Sequence, residues 1–237
     1  MTLSTPNNKC KMKLYSVSDG PPSLACRQLL KALNIQYELI DVDFGKGDHM
    51  TKEYAELNPQ KEIPTLVDDD LVMGESNAIL QYLADQYDTS GKLYPKEPKL
   101  RAIVNHRLCF NLALYYRNIA EHTPIFFDYQ RTPLTLKKTK MALDIFNTYL
   151  RNSEYAAGND LTIADFPLVT ATMCLEAIDF NLDAWPHVAR WYSNFKRRRP
   201  DLWEIAAGGM REISYFEKHP PDLSGMDHPI HPVRKSA

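Results

Sequence analysis

The hydrophobic pattern of this sequence changes its period near residue 90. Before that point, short strand-like runs alternate with segments whose apolar residues recur at helical spacing, in the order βαβαββα. From residue 99 onward only helical spacing occurs. Two strands joined through a helix are expected to lie parallel, because such crossovers are right-handed. The pattern therefore predicts an α/β domain with an antiparallel hairpin at one sheet edge, followed by an all-α helical-bundle domain.

The predicted boundaries follow the turn-forming residues of the chain. The segment Asp88–Pro98 carries one glycine and two prolines and predicts a linker. We expect domains over residues 1–90 and 99–219, and a flexible tail rich in proline, histidine and charge over 220–237. The predicted strands cover 13–17, 37–42, 65–67 and 71–73, and the predicted helices cover 23–33, 52–57, 76–87, 99–121, 133–152, 162–180, 186–199 and 200–215.

Charge and hydropathy argue against two classes of partner. The formal net charge of the 237 residues is −2, so no global field points to nucleic acid or to an anionic membrane. No apolar run approaches the ~18 residues that a membrane-spanning helix needs. Residues 1–13 are polar and lack the apolar centre of a signal peptide. We therefore expect no nucleic-acid partner and no membrane partner.

Cysteine usage indicates a reducing compartment. The four cysteines are widely scattered and form no CxxC pair: Cys10, Cys26, Cys109 and Cys174. This pattern favours a cytoplasmic location. Two histidines in the proline-rich tail, His228 and His231, are weak evidence for a metal site. We expect neither a bound metal nor a bound cofactor.

Thr162 and Asp165 have the spacing of a capping box. In such a box the Thr162 hydroxyl accepts from the Asp165 N–H, while the Asp165 carboxylate reaches back. Leu161 and Phe166 are placed to form the accompanying hydrophobic staple. The motif predicts the start of a buried helix and indicates no chemistry.

The Ile63-Pro64-Thr65 segment is the first candidate binding feature. A proline that enters an edge strand can be an ordinary trans loop proline. Alternatively it forms a cis turn, which would direct the backbone N–H and C=O of Ile63 outward. There they could pair with an extended peptide as an added strand does.

The second candidate feature is the Gly74-Glu75-Ser76-Asn77 segment, at the start of the third predicted helix. Glu75 or Ser76 can simply cap that helix. Alternatively, the free N–H groups of the helix N-terminus bind a carboxylate and Glu75 binds an amine, which together suit the α-amino-acid end of a peptide. His49 and Lys61 flank the short helix and could bind a second carboxylate, although either can equally be a surface residue.

Together these segments resemble the insect delta and epsilon classes of cytosolic glutathione transferase. The resemblance runs from about residue 13 to about residue 200 and covers both predicted domains. It rests on these stretches: Leu14-Tyr15, Gly20-Pro21-Pro22, Gly47-Asp48-His49, Asn58-Pro59-Gln60-Lys61-Glu62-Ile63-Pro64-Thr65-Leu66, Glu75-Ser76-Asn77-Ala78-Ile79, Leu93-Tyr94-Pro95-Lys96, Arg101-Ala102 and Leu161-Thr162-Ile163-Ala164-Asp165.

The resemblance implies a homodimer whose first domain is thioredoxin-like and binds glutathione as a co-substrate. It implies that Pro64 is cis and that the backbone of Ile63 pairs with the cysteinyl part of glutathione. It also implies that Glu75 and Ser76 hold the γ-glutamyl end. The remaining implied glutathione contacts are His49 and Lys61 at the glycyl carboxylate, and Asn77, where relatives often carry Arg or His.

Gly20 is the largest departure from these classes, because relatives carry a serine there whose hydroxyl bonds the glutathione sulfur. Ser18 belongs to the same loop, so we expect Ser18 to donate instead. Ser23 and the N-terminal N–H groups of the first helix are the other possible sources.

The resemblance places the co-substrate pocket between the domains. The candidate lining residues are aromatic or apolar: Tyr115, Tyr116, Ile119, Phe126, Phe127, Met210, Tyr215 and Phe216. The implied activity is conjugation of the glutathione thiolate to small hydrophobic electrophiles, as in detoxification of xenobiotics. The alternative is a glutathione-binding carrier of hydrophobic ligands with little turnover, which the missing hydroxyl at Gly20 keeps open.

Overall fold

The computed structural model describes residues 12–124, 127–224 and 232. The strands are β1 (Met12–Ser16), β2 (Glu38–Asp41), β3 (Thr65–Asp68) and β4 (Leu71–Met73). The helices are α1 (Pro21–Ala32), α2 (Lys52–Leu57), α3 (Ser76–Tyr87), α4 (Pro98–Phe110), α5 (Tyr116–His122), α6 (Pro133–Tyr149), α7 (Asp165–Ala177), α8 (Pro186–Arg198) and α9 (Pro200–Lys218). A 3-10 turn (Asp48–Met50) precedes α2, and a π-helical turn (Asn111–Tyr115) joins α4 to α5.

The four strands form one sheet in the order β2-β1-β3-β4. Strand β1 runs parallel to β2, with Leu14 opposite Leu39, and antiparallel to β3. Strands β3 and β4 form an antiparallel hairpin. The βαβαββα order predicted from the hydrophobic pattern is therefore confirmed, as is the helical character of the second domain. The sheet also agrees with the thioredoxin-like first domain that the resemblance implies.

Asp68 at the end of β3 fastens the hairpin to α3. Its carboxylate accepts a hydrogen bond of 2.7 Å from the Tyr82 hydroxyl and a second one from the Tyr87 hydroxyl. The two tyrosines lie on the same helix and meet edge to face. Because both tyrosines lie in the C-terminal half of α3, these bonds fix that half of the helix relative to the sheet.

Helix α1 lies between the sheet and the helical domain. It packs against α3 in its own domain and against α7 and α9 in the other. The Gln28 side chain is buried and donates a 3.1 Å hydrogen bond to the Leu202 carbonyl at the start of α9. The loop that precedes α1 is consequently placed at the boundary between the two domains.

The predicted helix over 99–121 is interrupted. Helix α4 ends at Phe110, and the π-helical turn adds a residue before α5 begins. A π turn changes the direction in which the following side chains point. Tyr115 is fully buried, with its hydroxyl 2.8 Å from Thr172 Oγ1, whereas the adjacent Tyr116 faces the domain boundary.

Helix α7 is buried along nearly its whole length and begins at Asp165, three residues after the predicted start. The Asp165 carboxylate accepts from the N–H of Thr162 at 2.9 Å, as a capping box requires. The Thr162 hydroxyl, however, donates to the same carboxylate instead of capping the Asp165 N–H. Further hydrogen bonds to Asp165 come from the Ala156 N–H at 2.8 Å and the Trp191 indole at 2.9 Å.

The tail expected over 220–237 is described only in part. Leu223 is buried and packs beside Gly45. The carbonyl of Pro232 accepts a 2.8 Å hydrogen bond from the Asp128 N–H. Residues 225–231 and 233–237, with His228 and His231, lie outside the described residues.

Within the described ranges, no helix is both long enough and apolar enough to span a bilayer.

We predict that Asp165→Ala lowers the free energy of unfolding by about 3–5 kcal/mol, because the buried N–H groups of Ala156 and Trp191 lose a charged partner. Urea unfolding followed by circular dichroism measures this loss. Asp160→Ala removes an exposed carboxylate from the preceding loop and serves as control, with an expected change below about 0.5 kcal/mol. Equal effects of the two substitutions would contradict the anchoring role of Asp165.

Candidate functional site

Two cavities lie side by side at the boundary between the domains. The large cavity has a volume of about 740 Å³ and the small cavity about 340 Å³. Five residues line both and form their shared wall: Pro21, Pro22, Glu62, Ile63 and Tyr116. The first four belong to the α/β domain and Tyr116 belongs to α5. The wall between the two cavities is therefore built from residues of both domains.

The segment before β3 forms one wall of the small cavity. The Ile63-Pro64 peptide bond is cis, so the second of the two conformations left open by the sequence is observed. The Glu62 carbonyl accepts from the Tyr54 hydroxyl at 3.0 Å and from the Asn58 side-chain amide at 2.9 Å. These contacts hold the segment against α2, with Ile63 facing both cavities.

The opposite wall of the small cavity is the N-terminus of α3. Glu75 precedes the helix with a φ of 60°, and its carboxylate accepts from Gln60 Nε2 at 3.1 Å. The carbonyl of Glu75 accepts hydrogen bonds from the N–H groups of Ala78 and Ile79. The N–H groups of Ser76 and Asn77, in the first turn of the helix, do not bond to this carbonyl. A carboxylate and two helical N–H groups thus lie together at this end.

Two amide oxygens add to the polarity of the small cavity. Asn77 donates through Nδ2 to the Leu108 carbonyl at 2.9 Å, which ties α3 to α4 and orients the amide. Its Oδ1 is buried and has no hydrogen-bond partner among the described residues, and the same holds for Oδ1 of Asn111. Both asparagines line the small cavity. The cavity therefore presents hydrogen-bond acceptors in excess of donors.

The large cavity combines an aromatic wall with three basic residues, His49, Lys61 and Arg117. The His49 ring stacks on Phe44 with centroids 4.5 Å apart, and Phe127 contacts Phe44 edge to face at 5.8 Å. Lys61 lines the cavity from a backbone conformation with a φ of 56°. His49 and Lys61, predicted to contact the glycyl carboxylate, line the same cavity as Tyr116 and Phe127, which were predicted for the co-substrate pocket. The predicted lining residue Phe126 lies outside the described residues.

Gly20 also lines the large cavity, and its role there is steric. Its φ of −67° is open to any residue, so the backbone does not require glycine. A Cβ atom at this position would lie 2.5 Å from Cγ2 of Val17. The side chain of Val17 therefore occupies the space into which a serine at position 20 would project.

The structure corrects the expectation for Ser18. Its hydroxyl donates a 2.5 Å hydrogen bond to Glu212 on α9, and Ser18 lines neither cavity. The loop also packs closely on α9, since a Cβ at Gly209 would lie only 3.3 Å from the Ser18 carbonyl oxygen. Ser23 is buried as well, and its hydroxyl accepts from the Val17 N–H at 3.4 Å.

Five expected pocket residues line neither cavity: Tyr115, Ile119, Met210, Tyr215 and Phe216. The first two are fully buried in the helical core, because the π-helical turn directs Tyr115 inward. The other three lie on α9, whose contribution to the large cavity is Ile213. Tyr215 is 58% exposed and stacks on His219.

Asp19 and Cys174 line the large cavity without having been predicted. Asp19 is 6% exposed, and its Oδ2 has no hydrogen-bond partner among the described residues. Burial, reinforced by the charge of Glu212, raises the pKa of Asp19 to about 7. Cys174 comes from α7, and the Glu212 that acts on Asp19 comes from α9. Because these helices are distant from Asp19 in the chain, the local sequence could not predict this arrangement.

Among the described residues, no group of three or more His, Cys, Asp and Glu side chains is placed to hold a metal ion.

We predict that Asp19→Asn alters how stability depends on pH. The folded-state pKa of Asp19 is raised from 3.8 to about 7, so the folded protein loses stability as pH rises between these values. The stability gained by the variant over wild type should be about 2–3 kcal/mol larger at pH 8 than at pH 5. Urea unfolding at both pH values measures it. For the control Asp160→Asn, at an exposed carboxylate, the change in free energy of unfolding relative to wild type should be the same at both pH values. The same pH-independent change in Asp19→Asn would contradict the burial of the Asp19 carboxyl.

Comparison with known proteins identifies the family and the fold. Residues 10–85 match the family described as "Glutathione S-transferase, N-terminal domain", and residues 127–199 match "Glutathione S-transferase, C-terminal domain". Glutathione S-transferase D6 of Drosophila melanogaster is 37% identical over 194 residues, which cover 80% of this chain and 89% of the relative.

Solved structures agree with this assignment. A diazinon-metabolizing glutathione S-transferase of the silkworm Bombyx mori is 56% identical, with a TM-score of 0.82 over 85% of this chain and 98% of that one. A delta-class glutathione transferase of Nilaparvata lugens is 33% identical, with a TM-score of 0.84 over 89% of this chain and 100% of that one. The domain matches, the sequence identity and the shared architecture show that this chain belongs to the glutathione S-transferase family.

Proposed function

We propose that this glutathione transferase binds the γ-glutamyl end of glutathione in the small cavity and the hydrophobic electrophile in the large one. The tripeptide then lies across the shared wall, with its cysteinyl part at Ile63. The observation that carries this proposal is the polar composition of the small cavity. In this cavity the Glu75 carboxylate and the side chains of Asn77 and Asn111 lie beside the N-terminus of α3.

The α-amino-acid group of the γ-glutamyl residue matches that composition. Its ammonium group needs acceptors, and Glu75 with the two buried amide oxygens supplies them. Its carboxylate needs donors, and the N–H groups of Ser76 and Asn77 at the positive end of the helix dipole supply those. Asn77 thus contributes both a backbone donor and a side-chain acceptor.

The other two parts of glutathione find partners along the shared wall. The cis bond before Pro64 leaves the backbone of Ile63 facing the cavities, where it can pair with the cysteinyl backbone. Lys61 and His49 line the large cavity next to this wall and supply positive or hydrogen-bonding groups for the glycyl carboxylate.

The aromatic wall of the large cavity supports hydrophobic co-substrates. Phe44, Phe127 and Ile213 offer apolar surface, and the cavity volume of about 740 Å³ is in the range typical of small-molecule sites. Since the silkworm relative metabolises diazinon, we propose foreign electrophiles as the substrates. The cytoplasmic location stays a prediction from the scattered cysteines.

We predict that Glu75→Gln weakens glutathione binding about tenfold or more, because a charged hydrogen bond to the ammonium group is replaced by a neutral one. Isothermal titration calorimetry measures the dissociation constant. Glu53→Gln, on the exposed face of α2, removes the same charge away from the cavities and should leave the affinity unchanged. Unchanged affinity in Glu75→Gln would remove Glu75 from the binding site.

We also propose that the chain is a homodimer. Two arginines of α4 are engaged within the chain: Arg101 donates to the Asp85 carboxylate, and Arg107 donates to the Ala156 carbonyl. Exposed apolar side chains are available for an interface: Leu71 and Val72 on β4, and Leu100 and Ile103 on α4. Leu100 is 50% exposed and Ile103 is 40% exposed, and covering them favours association.

We predict that Ile103→Glu dissociates the dimer, because a buried charge without a partner opposes association. Sedimentation at micromolar concentration should give twice 27.3 kDa for wild type and 27.3 kDa for the variant. Leu134→Glu, at an exposed leucine on α6, is the matched control and should remain dimeric. A monomeric wild type would contradict the proposal.

A further inference from the structure

The position of the glutathione sulfur follows from the two cavities. If glutathione enters the small cavity and the electrophile enters the large one, the reacting sulfur lies where both meet, at the shared wall. This step rests on the proposed function. The wall consists of two prolines, Glu62, Ile63 and Tyr116. Among these five residues, Tyr116 carries the only hydroxyl group.

We propose that the Tyr116 hydroxyl donates a hydrogen bond to the glutathione thiolate and takes the place of the hydroxyl that Gly20 lacks. The residue reaches this position because of the π-helical turn before α5. That turn buries Tyr115 in the helical core and leaves the next tyrosine facing the cavities. Within the described ranges, the Tyr116 hydroxyl has no hydrogen-bond partner of its own.

The other donors near Gly20 are engaged elsewhere or absent. Ser18 donates to Glu212 on α9, and the buried Ser23 hydroxyl is used by the Val17 N–H. The first two residues of α1 are prolines, which have no N–H, so its N-terminus offers only the N–H of Ser23 in the first three positions. The helix dipole alone is therefore poorly equipped to hold a thiolate.

Burial suits Tyr116 to donation. Desolvation, followed by the charges of Cys174, Glu62 and Asp19, raises the pKa of Tyr116, so the phenol keeps its proton across the physiological range. These three groups are the titratable side chains that act on it from α7, from the segment before β3 and from the loop before α1. Burial and the charge of Glu75 also raise the pKa of Glu62.

In the reaction the phenol acts only as a donor. The thiol proton of glutathione passes to water, and a sulfur lone pair forms the S–C bond with the electrophile. The leaving group departs with the electron pair of the broken bond. Tyr116 retains its proton throughout and stabilises the thiolate before the attack.

We predict that Tyr116→Phe raises the thiol pKa of bound glutathione by about one to two units, the usual worth of a hydrogen bond to a charged group. Thiolate absorbance of the complex, titrated against pH, measures the shift. At a pH between the two thiol pKa values, kcat/KM for an aryl halide should fall about tenfold or more. The affinity for S-methylglutathione, which has no thiol, should not change.

Two further variants separate donation from packing. Site-specific replacement of Tyr116 by 3-fluorotyrosine makes the phenol a stronger donor and should lower the thiol pKa of bound glutathione below the wild-type value. Tyr115→Phe removes the adjacent hydroxyl in the core and should leave that pKa unchanged.

Several outcomes would overturn the inference. An unchanged thiol pKa in Tyr116→Phe, or a raised one in Ser18→Ala, would assign the donor role elsewhere while leaving the proposed glutathione site intact. The proposed function itself would fail if wild type did not bind glutathione or if Glu75→Gln bound it normally. If wild type bound glutathione without lowering its thiol pKa, the donor would be refuted and the chain would act as a carrier.

Discussion

The packing of α1 between the two domains is the constraint on which the arrangement depends. The helix is covered by α3 on one side and by α7 and α9 on the other, so it belongs to the cores of both domains. Its first turn and the loop before it consequently have no freedom to move independently of either domain. The close approach of Gly209 to the backbone of Ser18 and Asp19 extends this constraint to the residues that line the large cavity.

Local features of the fold could be predicted from the sequence, because they depend on periods and turn residues within one segment. The run from Ser76 to Tyr87 was expected as a helix and is one with those bounds. The parallel pairing of β1 with β2 followed from the helix between them. The π-helical turn could not be predicted, since the apolar spacing of its neighbours is that of a continuous helix. That single turn decides which of two adjacent tyrosines reaches the cavities.

The candidate site divides in the same way. Glu75, Ser76, Ile63 and Pro64 lie within two short segments whose chemistry is visible in the sequence, and the structure places all four on the small cavity. Asp19 and Ser18 both interact with Glu212 of α9, almost two hundred residues later, so the surroundings of neither could be read from the local sequence. The hydrogen bond from the Asn77 amide to a carbonyl of α4 joins residues 31 positions apart, so the local sequence carries no sign of it.

The contact between Val17 and position 20 has a consequence for how this enzyme can change by mutation. A serine at position 20 would bring its Cβ to 2.5 Å from a methyl group of Val17, so that substitution alone is sterically opposed. Replacing Val17 by a smaller residue first would leave a void beside the cavity and bring no hydroxyl. Each single step is therefore unfavourable although the pair is compatible. Because of this coupling, the order of the two substitutions matters, and glycine at position 20 tends to be retained.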